Sequence, residues 1–103
     1  MVKKRGDYLK IEIASLGILQ DYLSTKGKII EIKGYSKLTI FELLKILKRK
    51  WGKDFYNSVI EKENLKDQFV ILLNGLSIEM KNGLETEIKD GDRITISLFI
   101  SGG

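Results

Sequence analysis

Between Leu38 and Gly52 the chain spells out one amphipathic helix with both ends marked. Thr39 followed by Glu42 has the spacing of a capping box. The Thr hydroxyl accepts from the Glu42 amide and the carboxylate accepts from the Thr39 amide. Leu38 and Leu43 flank the cap in the positions of a hydrophobic staple. Ile40, Leu43, Leu44, Leu47 and Trp51 then recur at steps of three and four, making one apolar stripe. Gly52 stands where a left-handed residue would close the helix. The spacing predicts a helix from Thr39 to about Trp51, with its stripe in the core. A second, weaker helical piece is expected from Asp54 to Glu63, using Phe55, Val59 and Ile60.

The segments around this helix read as strands. Leu9-Lys10-Ile11-Glu12-Ile13 alternates apolar with polar, the period of a half-buried strand. Lys28-Ile29-Ile30-Glu31-Ile32 is β-branched and reads as a second strand, ended by Gly34. Between them Gly17 to Gly27 would hold a turn or a short helical piece, closing a loose antiparallel hairpin. Phe69-Val70-Ile71-Leu72-Leu73 is a continuous apolar run, which implies burial on both faces. Asn74-Gly75, Asn82-Gly83 and Asp90-Gly91 are turn pairs, since these residues tolerate positive φ. A short apolar segment, Leu76 to Met80, lies between the first two. The final strand runs from Arg93 to Phe99, with Ile94, Ile96 and Leu98 on one side. One helix laid across a mixed sheet of four to five strands gives a two-layer α+β domain. We expect that domain to span residues 1–98, with 99–103 a flexible tail.

Composition removes most enzyme chemistry. Among 103 residues there is no cysteine and no histidine. That excludes disulfides, thiolate or imidazole metal ligands, Cys nucleophiles and His bases. No glycine-rich phosphate loop or paired carboxylate offers a catalytic, cofactor or metal site in their place. No apolar run approaches the roughly 18 residues that span a membrane. The basic start Met1-Val2-Lys3-Lys4-Arg5 is followed by Asp7, Lys10 and Glu12, which break up any signal-peptide core. A soluble, cytoplasmic protein with no membrane partner is the simple expectation. Net charge is +4, which permits an acidic partner without requiring one.

The chain ends Phe99-Ile100-Ser101-Gly102-Gly103. With that ending, four segments resemble the ubiquitin-like (β-grasp) sulfur carriers, and most of all the small subunit of molybdopterin synthase and the thiamin-pathway carrier. They are Leu9 to Leu16, the helix Thr39 to Trp51, Val70 to Gly75, and Leu84 to Ile94 with its Asp90-Gly91-Asp92 turn. The resemblance covers nearly the whole chain. It departs in having no proline before the diglycine, and in extra residues around 17–27 and 52–66.

The resemblance implies a ubiquitin-like β-grasp fold and a mechanism centred on the Gly103 carboxylate. An adenylating activating enzyme would use ATP to adenylate it, and sulfur would replace the adenylate to leave a thiocarboxylate. The tail would then enter a larger sulfur-accepting synthase subunit and deliver sulfur to the pterin precursor of the molybdenum or tungsten cofactor. The chain itself would be a carrier and not an enzyme, with no cofactor bound. Gly102 and Gly103, lacking Cβ, suit passage through a narrow channel. Extended, residues 99 to 103 reach roughly 16 Å. Phe99, Ile100 and Ser101 would contact the partner, although strand-end packing explains the first two equally well.

Other readings stand beside this one. The same tail would serve a protein modifier or a sulfur donor for tRNA thiolation. A plain β-grasp interaction module is the third, with RNA bound through the basic cluster Lys45, Lys48, Arg49, Lys50 and Lys53 as its form. That cluster reads first as a solvated helix face, with docking on an acidic partner as its functional use. It lacks the interleaved exposed aromatics of base-stacking platforms, so a nucleic-acid partner is not expected. Asp90, Asp92 and Arg93 read as turn chemistry.

Overall fold

The computed structural model describes residues 8–16 and 28–98. The expected turn or helical piece from Gly17 to Gly27 lies outside them. Strand β1, Tyr8–Leu16, pairs antiparallel with β2, Lys28–Lys33, and Gly34 turns the chain away at a φ of 94°. A two-residue strand β3, Leu38–Thr39, leads into helix α1, Ile40–Trp51. The capping box is formed as read: Thr39 Oγ1 accepts from the Glu42 amide at 3.1 Å, and Glu42 Oε1 accepts from the Thr39 amide at 2.9 Å. Leu38 and Leu43 are both buried.

Gly52 has the positive φ expected of it, but not the left-handed conformation. At φ 96° and ψ 164° it occupies a region essentially reserved for glycine. From there the chain starts a second helix at once, α2, Lys53–Val59. That helix is shorter than the segment expected from Asp54 to Glu63. Ile60 leaves it and pairs with Leu65, joining β4 (Ile60–Glu61) to β5 (Asn64–Leu65). Lys62 and Glu63 turn this hairpin at φ 51° and 65°, values that neither residue type advertises.

Strand β6, Phe69–Leu73, follows. Phe69, Ile71 and Leu73 are buried, while Val70 and Leu72 are only half-buried, so the apolar run is covered fully on one face and partly on the other. Asn74 and Gly75, at φ 51° and 91°, turn it into β7, Leu76–Ser77. Two 3₁₀ turns, Ile78–Met80 and Gly83–Glu85, then lead to β8, Glu87–Ile88, which pairs with β3. Asn82-Gly83 is a turn, as read, and opens the second of these 3₁₀ turns with Gly83 at a φ of 59°. The last strand, β9, is Arg93–Leu98.

The main sheet has the order β2-β1-β9-β6-β7. β1 and β9 are parallel; the other pairs are antiparallel. One face carries Leu9, Ile11 and Ile13, Ile30 and Ile32, Ile71, and Ile94 and Ile96, all buried. Against it lies the α1 stripe of Ile40, Leu43, Leu44 and Leu47, with Phe55 and Val59 from α2 in the same core. Trp51, expected in the core, stands half-exposed at its margin, edge-on to Phe55 with ring centroids 5.0 Å apart.

Candidate functional site

The residues singled out from sequence as the working end, Phe99, Ile100, Ser101, Gly102 and Gly103, lie outside the described residues. The structure describes the strand that leads to them. β9 occupies the middle of the sheet, flanked by β1 and β6, so its position is set from both sides. Its last two residues oppose the start of β6: Ser97 faces Val70 and Leu98 faces Phe69. The Ser97 hydroxyl donates to the Leu98 carbonyl at 3.2 Å.

The beginning of β9 is held by side chains of two turns. Asn74 Oδ1 accepts from the Arg93 amide at 2.9 Å, and Asn74 Nδ2 donates to Asp92 Oδ1 at 3.0 Å. Asp92 Oδ2 accepts from the Lys89 amide, and Asp90 Oδ1 from the Lys10 amide, both at 2.7 Å. Arg93 forms an ion pair with Glu12 at 3.0 Å on the sheet face away from the helices. Asp90 and Asp92 are thus turn chemistry, as read, whereas Arg93 opens β9 and its side chain pairs across to Glu12 on β1. The part played by Asn74 was not legible, because Asn-Gly announces a turn but not what the amide side chain will tie together.

On the other side of the molecule Lys45, Lys48, Arg49, Lys50 and Lys53 are all exposed. Among the described residues none of the five has a carboxylate within 4 Å. The sequence reading found no aromatics interleaved with these charges, yet the structure brings three half-exposed rings among them. Lys45 Nζ lies 4.5 Å from the Phe41 ring centroid, Lys48 Nζ 4.7 Å from that of Tyr56, and Lys28 Nζ 5.9 Å from that of Trp51. These are cation–π distances. Partial burial, with a smaller contribution from the nearby Glu63 charge, pushes the Tyr56 phenol above its usual range. Among the described residues no group of three carboxylates could hold a metal ion, and no helix is long and apolar enough to cross a membrane.

A mixed five-stranded sheet grasping one principal helix, with the last strand at its centre, defines a ubiquitin-like β-grasp protein. Solved structures share this arrangement. Small archaeal modifier protein 1 from Methanosarcina acetivorans superposes with a TM-score of 0.70 at 26% identity, over 95% of this chain and 100% of that one. A chain of the Amycolatopsis orientalis BexX/CysO complex gives 0.69 at 26% identity, over 90% and 99%. The ThiS family model matches residues 23–103. A protein of Archaeoglobus fulgidus, named as a proposed sulfur carrier protein, is 32% identical over 68 residues, 65% of this chain and 76% of its own. The chain belongs to the ThiS family: it is a ubiquitin-like sulfur carrier and not an enzyme. Carriers of this kind work with partner proteins, as the BexX/CysO complex illustrates.

Proposed function

We propose that the carboxylate of Gly103 is the group that carries the sulfur. An activating enzyme in the cytoplasm adenylates it with ATP, and sulfur displaces the adenylate to give a thiocarboxylate. A larger synthase subunit accepts that sulfur for the pterin precursor of the molybdenum or tungsten cofactor, with Phe99, Ile100 and Ser101 against the partner and Gly102 in its channel. The observation that supports this reading is the placement of β9. Held by β1 and β6 on its two sides and by Asn74, Asp90 and Asp92 at its start, it gives residues 99–103 a fixed point of departure. With no cysteine or histidine anywhere in the chain, the terminal carboxylate is also a more plausible bearer of sulfur than any side chain.

The test is the intact mass of the protein after incubation with a cognate activating enzyme, ATP and a sulfur source. A gain equal to one oxygen replaced by sulfur, absent when Gly103 is deleted, is the expected result. No gain with a demonstrably active partner enzyme would overturn the reading.

A second reading is supported by the similarity to small archaeal modifier protein 1. The activated carboxylate would then be joined to lysines of other proteins. Lysine-linked conjugates that end in the Gly103 carbonyl, found in cells of the source organism, would favour it over delivery to a pterin.

A further inference from the structure

Three turns of this chain place an asparagine or aspartate before glycine: Asn74-Gly75, Asn82-Gly83 and Asp90-Gly91. Each pair carries the same latent chemistry. The glycine nitrogen can attack the side-chain carbonyl carbon of the residue before it, and no glycine side chain stands in the way. The fold treats the three pairs differently. Asn74 is held at both ends of its amide, with Oδ1 accepting from the Arg93 amide and Nδ2 donating to Asp92. Asp90 is held at its carboxylate by the Lys10 amide, and the Gly91 nitrogen itself donates to the Lys10 carbonyl at 2.8 Å.

Asn82-Gly83 has neither restraint. Asn82 is exposed, and its side chain has no hydrogen-bond partner among the described residues. The Gly83 amide has no acceptor among them either. The pair is held only through its main chain. The Asn82 amide donates to the Thr86 hydroxyl, and the carbonyls of Asn82 and Gly83 accept from the Glu85 and Thr86 amides, all at 3.1 Å. These bonds close a single 3₁₀ turn, a segment that opens locally at little cost. Asn57 and Asn64 are less disposed to react: Asn57 lies within α2, and Asn64 is followed in β5 by the bulky Leu65.

We propose that Asn82-Gly83 is a site of covalent modification in the folded protein, where the asparagine passes through a succinimide to aspartate and isoaspartate. The Gly83 nitrogen gives up its proton and bonds to Asn82 Cγ. The Cγ–Nδ2 bond breaks, and ammonia leaves with that proton. Water then adds at one of the two ring carbonyls. Cleavage at Cγ gives an aspartate in the ordinary backbone; cleavage at the main-chain carbonyl gives isoaspartate, whose backbone runs through the side-chain carbon. Water is the one co-reactant and nothing is oxidised or reduced. Either product adds one negative charge to a depression of about 630 Å³ that Asn82 lines with Lys81, Glu85, Glu87 and Lys89. Isoaspartate also lengthens a turn whose Thr86 carbonyl accepts the first amide of α1, from Ile40 at 2.9 Å. The site is separate from residues 99–103 and does not depend on their role.

The experiment incubates the folded full-length protein in heavy-oxygen water at mildly alkaline pH, then digests it in ordinary water after lysine and arginine. Cleavage at Lys66, Lys81 and Lys89 puts Asn74 in residues 67–81 and Asn82 in residues 82–89. Mass spectrometry reads the acid formed with one heavy oxygen. It should appear first in 82–89, and about tenfold or more slowly in 67–81, where two hydrogen bonds must open. Both sites read Asn-Gly-Leu, so in denaturant the two rates should converge. Asn82→Gln, whose ring would need one more atom, should lose the label from 82–89 and keep the melting temperature of the parent. Equal rates in the folded protein, faster labelling of 67–81, or a difference that persists unchanged in denaturant would overturn the proposal.

Discussion

Lys10 and Asp90, 80 positions apart in the chain, are joined by a 2.7 Å hydrogen bond from the Lys10 amide to the Asp90 carboxylate. The Gly91 amide returns a bond to the Lys10 carbonyl at 2.8 Å, so the turn before β9 is laid along β1 before the parallel ladder begins. Asp90→Ala leaves the Lys10 amide to water at an exposed site. The expected loss is about 1 kcal/mol, read from denaturant unfolding. A change within error would mean that the backbone bonds alone hold the turn.

Asn74 carries two burdens that substitution can separate. Its side chain bonds Arg93 and Asp92, and its backbone sits at φ 51°. Asn74→Ala loses the bonds and strains the backbone, for an expected cost of about 2 kcal/mol. Asn74→Gly loses only the bonds and should cost roughly half as much. Equal costs in thermal or denaturant unfolding would assign the whole effect to the side chain.

Ser15 is fully buried on the inner face of β1, and its hydroxyl has no hydrogen-bond partner among the described residues. Ser15→Ala should therefore be neutral or raise stability by up to about 1 kcal/mol, since an unsatisfied buried hydroxyl is itself a cost. A clear loss of stability would show that the hydroxyl has a partner outside the described residues.

Tyr56 gives the molecule a signature at high pH. Burial and Glu63 raise its phenol above 10.0, so the folded state disfavours the phenolate relative to the unfolded chain. The sign follows: the contribution to stability is constant below about pH 10 and is lost as pH rises through the raised value. In an absorbance titration Tyr56 should ionise later than free tyrosine, and Tyr56→Phe should remove that late phase.

For the tail, Gly102→Val tests whether a missing side chain matters to activation. Thiocarboxylate formation should fall at least about tenfold, as a bulky residue beside the reacting carbonyl misplaces it. The melting temperature should match that of the parent protein. Full activity would remove Gly102 from the site and leave Gly103 alone.

The main helix and the succession of the main-sheet strands along the chain were legible because each rests on a local signal: the Thr39/Glu42 box, the α1 stripe, the alternation in β1, the Asn74-Gly75 turn. Their order across the sheet was not, because no local signal sets the pairing of β9 between β1 and β6. The misreadings share a cause. Ile60 could extend a helical pattern or start a hairpin, and the choice is made by its pairing with Leu65 rather than by its neighbours. Trp51 has helical spacing for the core but comes one turn after the last buried residue, Leu47, where the helix reaches the edge of the sheet. The lysine–aromatic pairs were hidden for a different reason. Phe41 with Lys45 is an i, i+4 pair and could have been found, whereas Lys48 with Tyr56 and Lys28 with Trp51 join separate elements. As for the candidate site, sequence named the tail and the structure supplies the strand that leads to it.

The central position of β9 also decides how the molecule answers force. A pull on the residues after Leu98 runs along a strand bonded on both flanks, so the two ladders are loaded in shear and their bonds share the strain. A pull that peels β2 outward loads one ladder, one bond at a time. The domain should therefore resist an unfolding machine that grips the end where sulfur is proposed to ride, and yield more readily to one that works from the opposite edge.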